Sequence, residues 1–270
     1  MNAFAQHVAY EFKTGLRNPS LLMINYLFPL GFYAMMGLIM TAINPLFTAS
    51  MVPALVIFTI VASTILGMPS PLVEAREAGV FRSYKINGVP AVSILTIPAL
   101  TTGFHALISA AIITVTAPVL FGGDMPVHLS AFVAVTLLTA FTCAGLGMLI
   151  SVISTDSRAT ILWSQLIFLP SMLIGGLMVP LDVLPDGVRS FSALLPPSHA
   201  MELFAGYAYG RPPVFNLPMS VAILASSGIL ALLLSIVLFN WDTRNQTRRG
   251  HPLLALLVVV PFALGALLVP

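Results

Sequence analysis

Six stretches of this chain contain no Asp, Glu, Lys or Arg: 18–73, 86–123, 125–155, 159–181, 212–241 and 250–270. All are dominated by apolar residues. A helix needs ~20 such residues to cross a bilayer, because ~30 Å of hydrocarbon is covered at ~1.5 Å per residue. The first stretch is long enough for two spans, divided at "NPLFTASMVP". The count is six spans and a seventh at the C-terminal end. A water-soluble fold is excluded by the same pattern, since 7 % of the residues are charged against roughly 25 % in globular proteins. The chain is expected to be an all-α integral membrane protein of the cell (inner or plasma) membrane, multi-pass.

Orientation follows from the basic residues. With the N-terminus placed in the cytoplasm, Lys13, Arg17, Arg76, Arg82, Lys85, Arg158, Arg244, Arg248 and Arg249 fall inside, and Arg189 and Arg211 fall outside. Nine against two obeys the rule that short cytoplasmic loops retain Lys and Arg.

Residues 1–19 do not span. Phe4, Val8, Phe12 and Leu16 recur at i+4 while Glu11, Lys13 and Arg17 take other faces, and "RNP" ends the run. That spacing predicts an amphipathic helix lying at the cytoplasmic interface, either an anchor or a lever on the spans. The six-span domain occupies 20–241. Its second span is expected to close on "PSP", followed by one cytoplasmic helix over 74–88. This helix carries five charged residues: Glu74, Arg76, Glu77, Arg82 and Lys85. Val80, Phe81 and Tyr84 share its apolar side at ~100° per residue, and Gly88 and Pro90 stop it. The outer segment 180–213 holds two short amphipathic stretches, with Val188, Phe191, Leu194 and Leu195 on one stripe and Ser198 as a cap for the second. Two outer re-entrant helices are predicted there. A cytoplasmic loop at 242–251 then leads into the seventh apolar segment, 252–270.

No GxxxxGK[ST] occurs, and no Gly-Lys pair at all, so this chain has no phosphate-cradling loop of its own. No Asp, Glu, Lys or Arg lies within the predicted spans, which argues against an ion-coupled carrier, because such carriers retain costly intramembrane charge for function. The polar residues within the spans are few. His105, Asn25 and Gln165 are candidates for a substrate path, with interhelical hydrogen bonding as the competing role. "SHAME" at 198–202 brings Ser, His and Glu close in sequence, but adjacent residues on a helix diverge and one HxxE lacks the further ligands a zinc site needs. Cys143 stands alone as a packing residue. No catalytic, metal or cofactor site is expected.

Three segments, taken in order, resemble the permease subunits of type-2 ATP-binding-cassette (ABC) exporters. They are the N-terminal helix ending "LRNP", the charged "EAREAGVFRSYKINGVP" after the second span, and "LPSMLIGGLMVPLDVLPDGVRSFSALLPPSHAMELF" from the fifth span into the outer helices. The resemblance covers roughly residues 1–241. It implies that the helix after the second span docks in a cytoplasmic ATPase subunit, with Glu74, Arg76, Glu77, Arg82 and Lys85 as polar docking residues and Val80, Phe81 and Tyr84 as an apolar knob. It also implies ATP and magnesium on that partner chain, a second permease copy (the same chain or a related one), lipid contact and no nucleic-acid partner. Export of a hydrophobic or amphipathic compound, such as a drug, an antibiotic or a lipid-linked molecule, is the function implied. An ATP-independent carrier or an assembly scaffold is the alternative. The chain departs from the family's common six-span pattern in segment 252–270, which would either cross or re-enter.

Overall fold

The computed structural model describes residues 3–44, 47–242 and 250–267. Met1, Asn2, Pro45, Leu46, Arg244, Arg248, Arg249 and the last three residues lie outside the described residues, as does the side chain of Phe4.

Six helices are long and apolar enough to cross a membrane. In chain order, α1 (Ala3–Arg17) precedes the first of them, α2 (Pro19–Ile43), and α3 (Phe47–Glu77) follows. After the short α4 (Val80–Ile86) come α5 (Ala91–Phe121), α6 (Leu129–Ile153) and α7 (Ser157–Ile174). A short pair follows, α8 (Asp186–Ser192) and α9 (Pro196–Leu203), and the sixth span is α10 (Leu217–Leu238). A final apolar helix, α11, covers Pro252–Ala266. No strand occurs among the described residues.

The centre of the bundle is α3. Of its most apolar window 94 % is buried, against 22 % for α2 and for α7. Inside lipid the apolar effect does not drive helices together, so close packing and small residues must. The chain supplies them where α3, α6 and α10 meet. A Cβ on Gly147 would sit 2.1 Å from the Thr64 carbonyl oxygen, and one on Gly145 would sit 3.0 Å from that of Gly228. Thr142 of α6 donates across to the Leu224 carbonyl of α10 at 2.9 Å.

"PSP" does not end the second span. Its helix widens to a π-turn at Ala62–Gly67 and then continues from Pro69 as an α-helix to Glu77. Extra backbone in a π-turn relieves the clash a proline makes with the turn before it. The break comes at Gly79, which takes φ +78° and starts α4 in a new direction. The cytoplasmic helix expected over 74–88 is thus two pieces. α3 at 31 residues is ~46 Å long at ~1.5 Å per residue, so it outruns the hydrocarbon and carries Glu74, Arg76 and Glu77 beyond it.

Two short helices form within 180–213 as expected, but Ser198 does not cap. α9 begins at Pro196, with prolines in its first turn. The missing proline N–H groups are ones a first turn leaves unpaired anyway. α9 is buried almost throughout, whereas Val188 and Phe191 of α8 remain exposed. α11 runs antiparallel to α10. Gly250 lies against Leu238, Ser227 donates to the Val258 carbonyl at 3.4 Å, and Gly265 packs on Ile223. Its first eight residues are a 3₁₀ helix and its last seven an α-helix, together ~26 Å at ~2.0 and ~1.5 Å per residue.

Candidate functional site

Two features at one end of the bundle draw in most of the residues singled out from the sequence: the α3–α4 corner and a cavity behind it. Arg76 sits on the last turn of α3 and is buried. Its guanidinium donates to the carbonyls of Ser151 at 3.2 Å, Val152 at 3.3 Å and Ser154. These are the carbonyls that the end of α6 leaves without intrahelical donors, and a cation there also opposes the helix dipole. Arg76 therefore clamps α3 to α6 rather than facing outward. Phe81 is also turned in, 4 % exposed, tilted against Phe239 at 5.8 Å and stacked on Tyr84 at 6.5 Å. The outward surface of the corner is made by Glu74, Glu77, Val80, Arg82, Lys85 and Ile86. Two of these are held from below: Glu77 accepts from Ser157 Oγ at 2.8 Å, and Arg82 pairs with Asp242. Half-buried Tyr84 has its phenol pushed up, first by burial and then by the nearby Glu11 carboxylate.

Behind the corner lies a cavity of about 220 Å³ between α1, α2, α3, α4 and α5. α1 lends Glu11, Thr14 and Gly15, while α4 lends Val80, Phe81 and Tyr84. The deep wall carries Asn25 and His105, which are 3 % and 2 % exposed. Asn25 lies in the π-turn Met23–Leu27 of α2 and abuts the π-turn of α3, where Gly67 packs against Ile24. π-turns recur at functional sites because they re-aim side chains. His105 is fixed by two aromatic neighbours. Phe12 stacks on it at 4.5 Å with 3° between the planes, Phe104 packs edge-on to Phe12, and Tyr26 Oη shares a 2.7 Å hydrogen bond with its Nδ1. Two atoms of this wall have no hydrogen-bond partner, Asn25 Oδ1 and His105 Nε2.

The structure thus brings together two of the three polar residues singled out within the spans. Gln165 is half-buried on α7 and does not line this cavity. Sequence reasoning missed Tyr26, Gly15 and Thr102. Tyr26 was legible only as Asn25's neighbour, and Gly15 has meaning only through its approach to His105, where a Cβ would come 2.8 Å from Nε2.

At the opposite end, His199 and Glu202 of "SHAME" face different partners. His199 Nε2 meets the Ala193 carbonyl at 2.8 Å and Nδ1 meets Ser220 Oγ at 3.0 Å. Burial lowers its pKa to about 4. The Glu202 carboxylate accepts from the backbone N–H groups of Val214 and Phe215, and burial pushes its pKa up against those bonds. Arg189 donates to the carbonyls of Leu181, Asp182 and Leu184, and Arg211 reaches the Ala49 carbonyl and Asp124. Every one of these groups fastens loops to helices. No group of residues able to hold a metal occurs among the described residues.

A buried central helix that leaves the bundle as a charged, exposed corner, with an amphipathic helix beside it and six helices long and apolar enough to span, defines a polytopic helical membrane domain. Residues 2–209 match the family model of the ABC-2 type transporter, and the chain belongs to that family. It is a membrane permease of the kind whose domains work with ATPase subunits. It is also 25 % identical over 103 residues to a curated relative, nodulation protein J of Rhizobium leguminosarum bv. viciae. That match covers 38 % of this chain and 39 % of the relative's length. No solved structure matches the chain.

Proposed function

We propose that this chain is the membrane-spanning subunit of an ABC exporter, paired with a second permease copy and driven by cytoplasmic ATPase subunits that carry ATP and magnesium. Its N-terminus and the α3–α4 corner face the cytoplasm, in keeping with the nine-to-two distribution of Lys and Arg. The cargo is a hydrophobic or amphipathic compound. α11, at ~26 Å, crosses as a seventh span beside α10 and ends near the outer helices.

One observation carries the reading. The corner is exposed outward, continues the most buried helix of the bundle, and is fastened inward by Arg76 to the end of α6 and by Phe81 against Phe239. A push on its outer face, at Glu74, Val80, Lys85 and Ile86, is therefore passed to α3 and α6 as a rigid body rather than absorbed by a loop.

The reading is tested by purifying the tagged protein from its native membrane in nanodiscs and identifying what accompanies it. An ABC ATPase is expected in stoichiometric amount. The Lys85→Glu and Ile86→Asp variants should lose it while keeping wild-type yield and melting temperature, since neither side chain is buried. An intact complex without any ATPase after crosslinking would instead favour a carrier or scaffold.

A further inference from the structure

We propose that the outward stripe of α1 binds the headgroup of an anionic phospholipid of the cytoplasmic leaflet, through Tyr10, Lys13 and Arg17. The apolar side of α1 is already taken by protein. Phe12 stacks on His105, Gly15 lies against the same ring, and Val8 is half-buried. An interfacial helix ordinarily holds the membrane by sinking that side among the acyl chains. Here α5 occupies it. What α1 turns outward is Gln6, Ala9, Tyr10, Lys13, Leu16 and Arg17, all exposed.

Spacing, charge and depth define the partner. Tyr10, Lys13 and Arg17 fall within ~60° of one another at ~100° per residue, along ~10 Å of helix. Among the described residues neither cation has an ion pair or a side-chain hydrogen bond. The stripe contains no carboxylate, because Glu11 is turned to the other side, where it lines the cavity near Tyr84. Arg17 is followed by one extended residue, Asn18, which caps the next helix, and the first span starts at Pro19. Arg17 therefore stands at the edge of the hydrocarbon, and Lys13 lies about one turn before it, ~5.4 Å along the helix. The headgroup layer is roughly 5–8 Å deep, so both cations stand at the level of the lipid phosphates whatever the tilt of α1. A phosphate supplies the charged acceptor oxygens that an ammonium and a guanidinium one turn apart can share. The amphipathic ring of Tyr10 suits the same layer. A choline head would bring its own cation beside the phosphate, so an anionic head is preferred. Leu16 beside the stripe and Phe104 next to Phe12 are exposed and meet the acyl chains. The binding does not rest on the exporter reading, since it needs only α1 at a membrane surface; the leaflet follows from the orientation.

The test places bimane on Ala9→Cys in the full chain, where the native Cys143 is buried and unreactive. Nanodiscs of phosphatidylcholine then receive equal fractions of 5-doxyl phosphatidylglycerol or 5-doxyl phosphatidylcholine. The phosphatidylglycerol is expected to quench more strongly, and its preference should collapse in 500 mM KCl. Lys13→Gln and Arg17→Gln should each lower that preference about fivefold, and the pair about twenty-fivefold. Lys85→Gln, an equally exposed cation off the stripe, should leave it unchanged. Melting temperatures identify any misfolded variant. Equal quenching by the two lipids, or a preference that survives in the Lys13→Gln, Arg17→Gln pair, would overturn the proposal. Loss of the preference when the ATPase is bound would mean that a protein covers the stripe, and would overturn it as well. Failure of the exporter reading would appear only as the absence of an ATPase, with the quenching pattern intact.

Discussion

His105 and His199 are both buried histidines of an apolar chain, 2 % exposed each, yet they stand in opposite situations. His199 has a partner on each ring nitrogen and sits among Phe215 and Phe262, where α9, α10 and α11 close on one another. His105 has a partner on one nitrogen, and the other lies against Gly15 with none. The surroundings repeat the contrast. Glu202, Arg189 and Arg211 at the outer end are consumed in holding loops, whereas Asn25 at the corner end keeps an idle acceptor. A buried polar group that is satisfied is part of the scaffold. One that is not satisfied carries an uncompensated cost.

The contrast can be broken from either end. The largest effect is expected at Glu202→Ala, which strips the acceptor from two buried backbone N–H groups. Two charge-assisted bonds put the loss near about 4 kcal/mol, read as a sharp fall in folded yield and melting temperature, with Glu202→Gln recovering part of it. Next comes acidification. The unfolded chain takes up a proton at His199 near pH 6.5, while the native residue refuses it until about pH 4. Stability should therefore fall as pH drops through that window and level off below it. At 1.36 kcal/mol per unit this amounts to about 3 kcal/mol. A melting profile in detergent measures it, and His199→Gln should flatten that part of the curve.

Removing one polar side chain from each region sharpens the comparison further. His199→Phe leaves Ser220 and the Ala193 carbonyl without a partner and should cost about 2 kcal/mol. Asn25→Leu, of similar shape, removes an acceptor that bonds nothing and should change stability by less than about 0.5 kcal/mol. If Asn25→Leu destabilises as much as His199→Phe, the two regions do not differ in kind.

Much of this architecture could be read from the chain alone. Absence of charge over ~20-residue runs is a demand of the bilayer, and it marks the six spans without reference to their packing. The amphipathic α1, the charged corner and the short helix pair α8 and α9 are likewise local, set by spacing and by punctuation with Pro and Gly. Where the reading slipped, the cause was a neighbour. "PSP" looks like a terminator, but a π-turn one residue earlier lets the helix pass. Arg76 and Phe81 look like docking residues because the helical wheel of an isolated segment cannot reveal that α6 and Phe239 cover that side.

The sequence by itself determined that the chain lives in a membrane, which six helices are long and apolar enough to cross it, and which loop concentrates charge, because each follows from transfer energies and backbone needs summed over neighbouring residues. Only the tertiary structure decided which charged residues are bolts and which are surface, and which polar residues are satisfied. Hydrogen-bond partners here lie about eighty positions apart, Tyr26 with His105 and Arg76 with Ser154. Satisfaction is a property of pairs, and no single stretch of sequence carries both members.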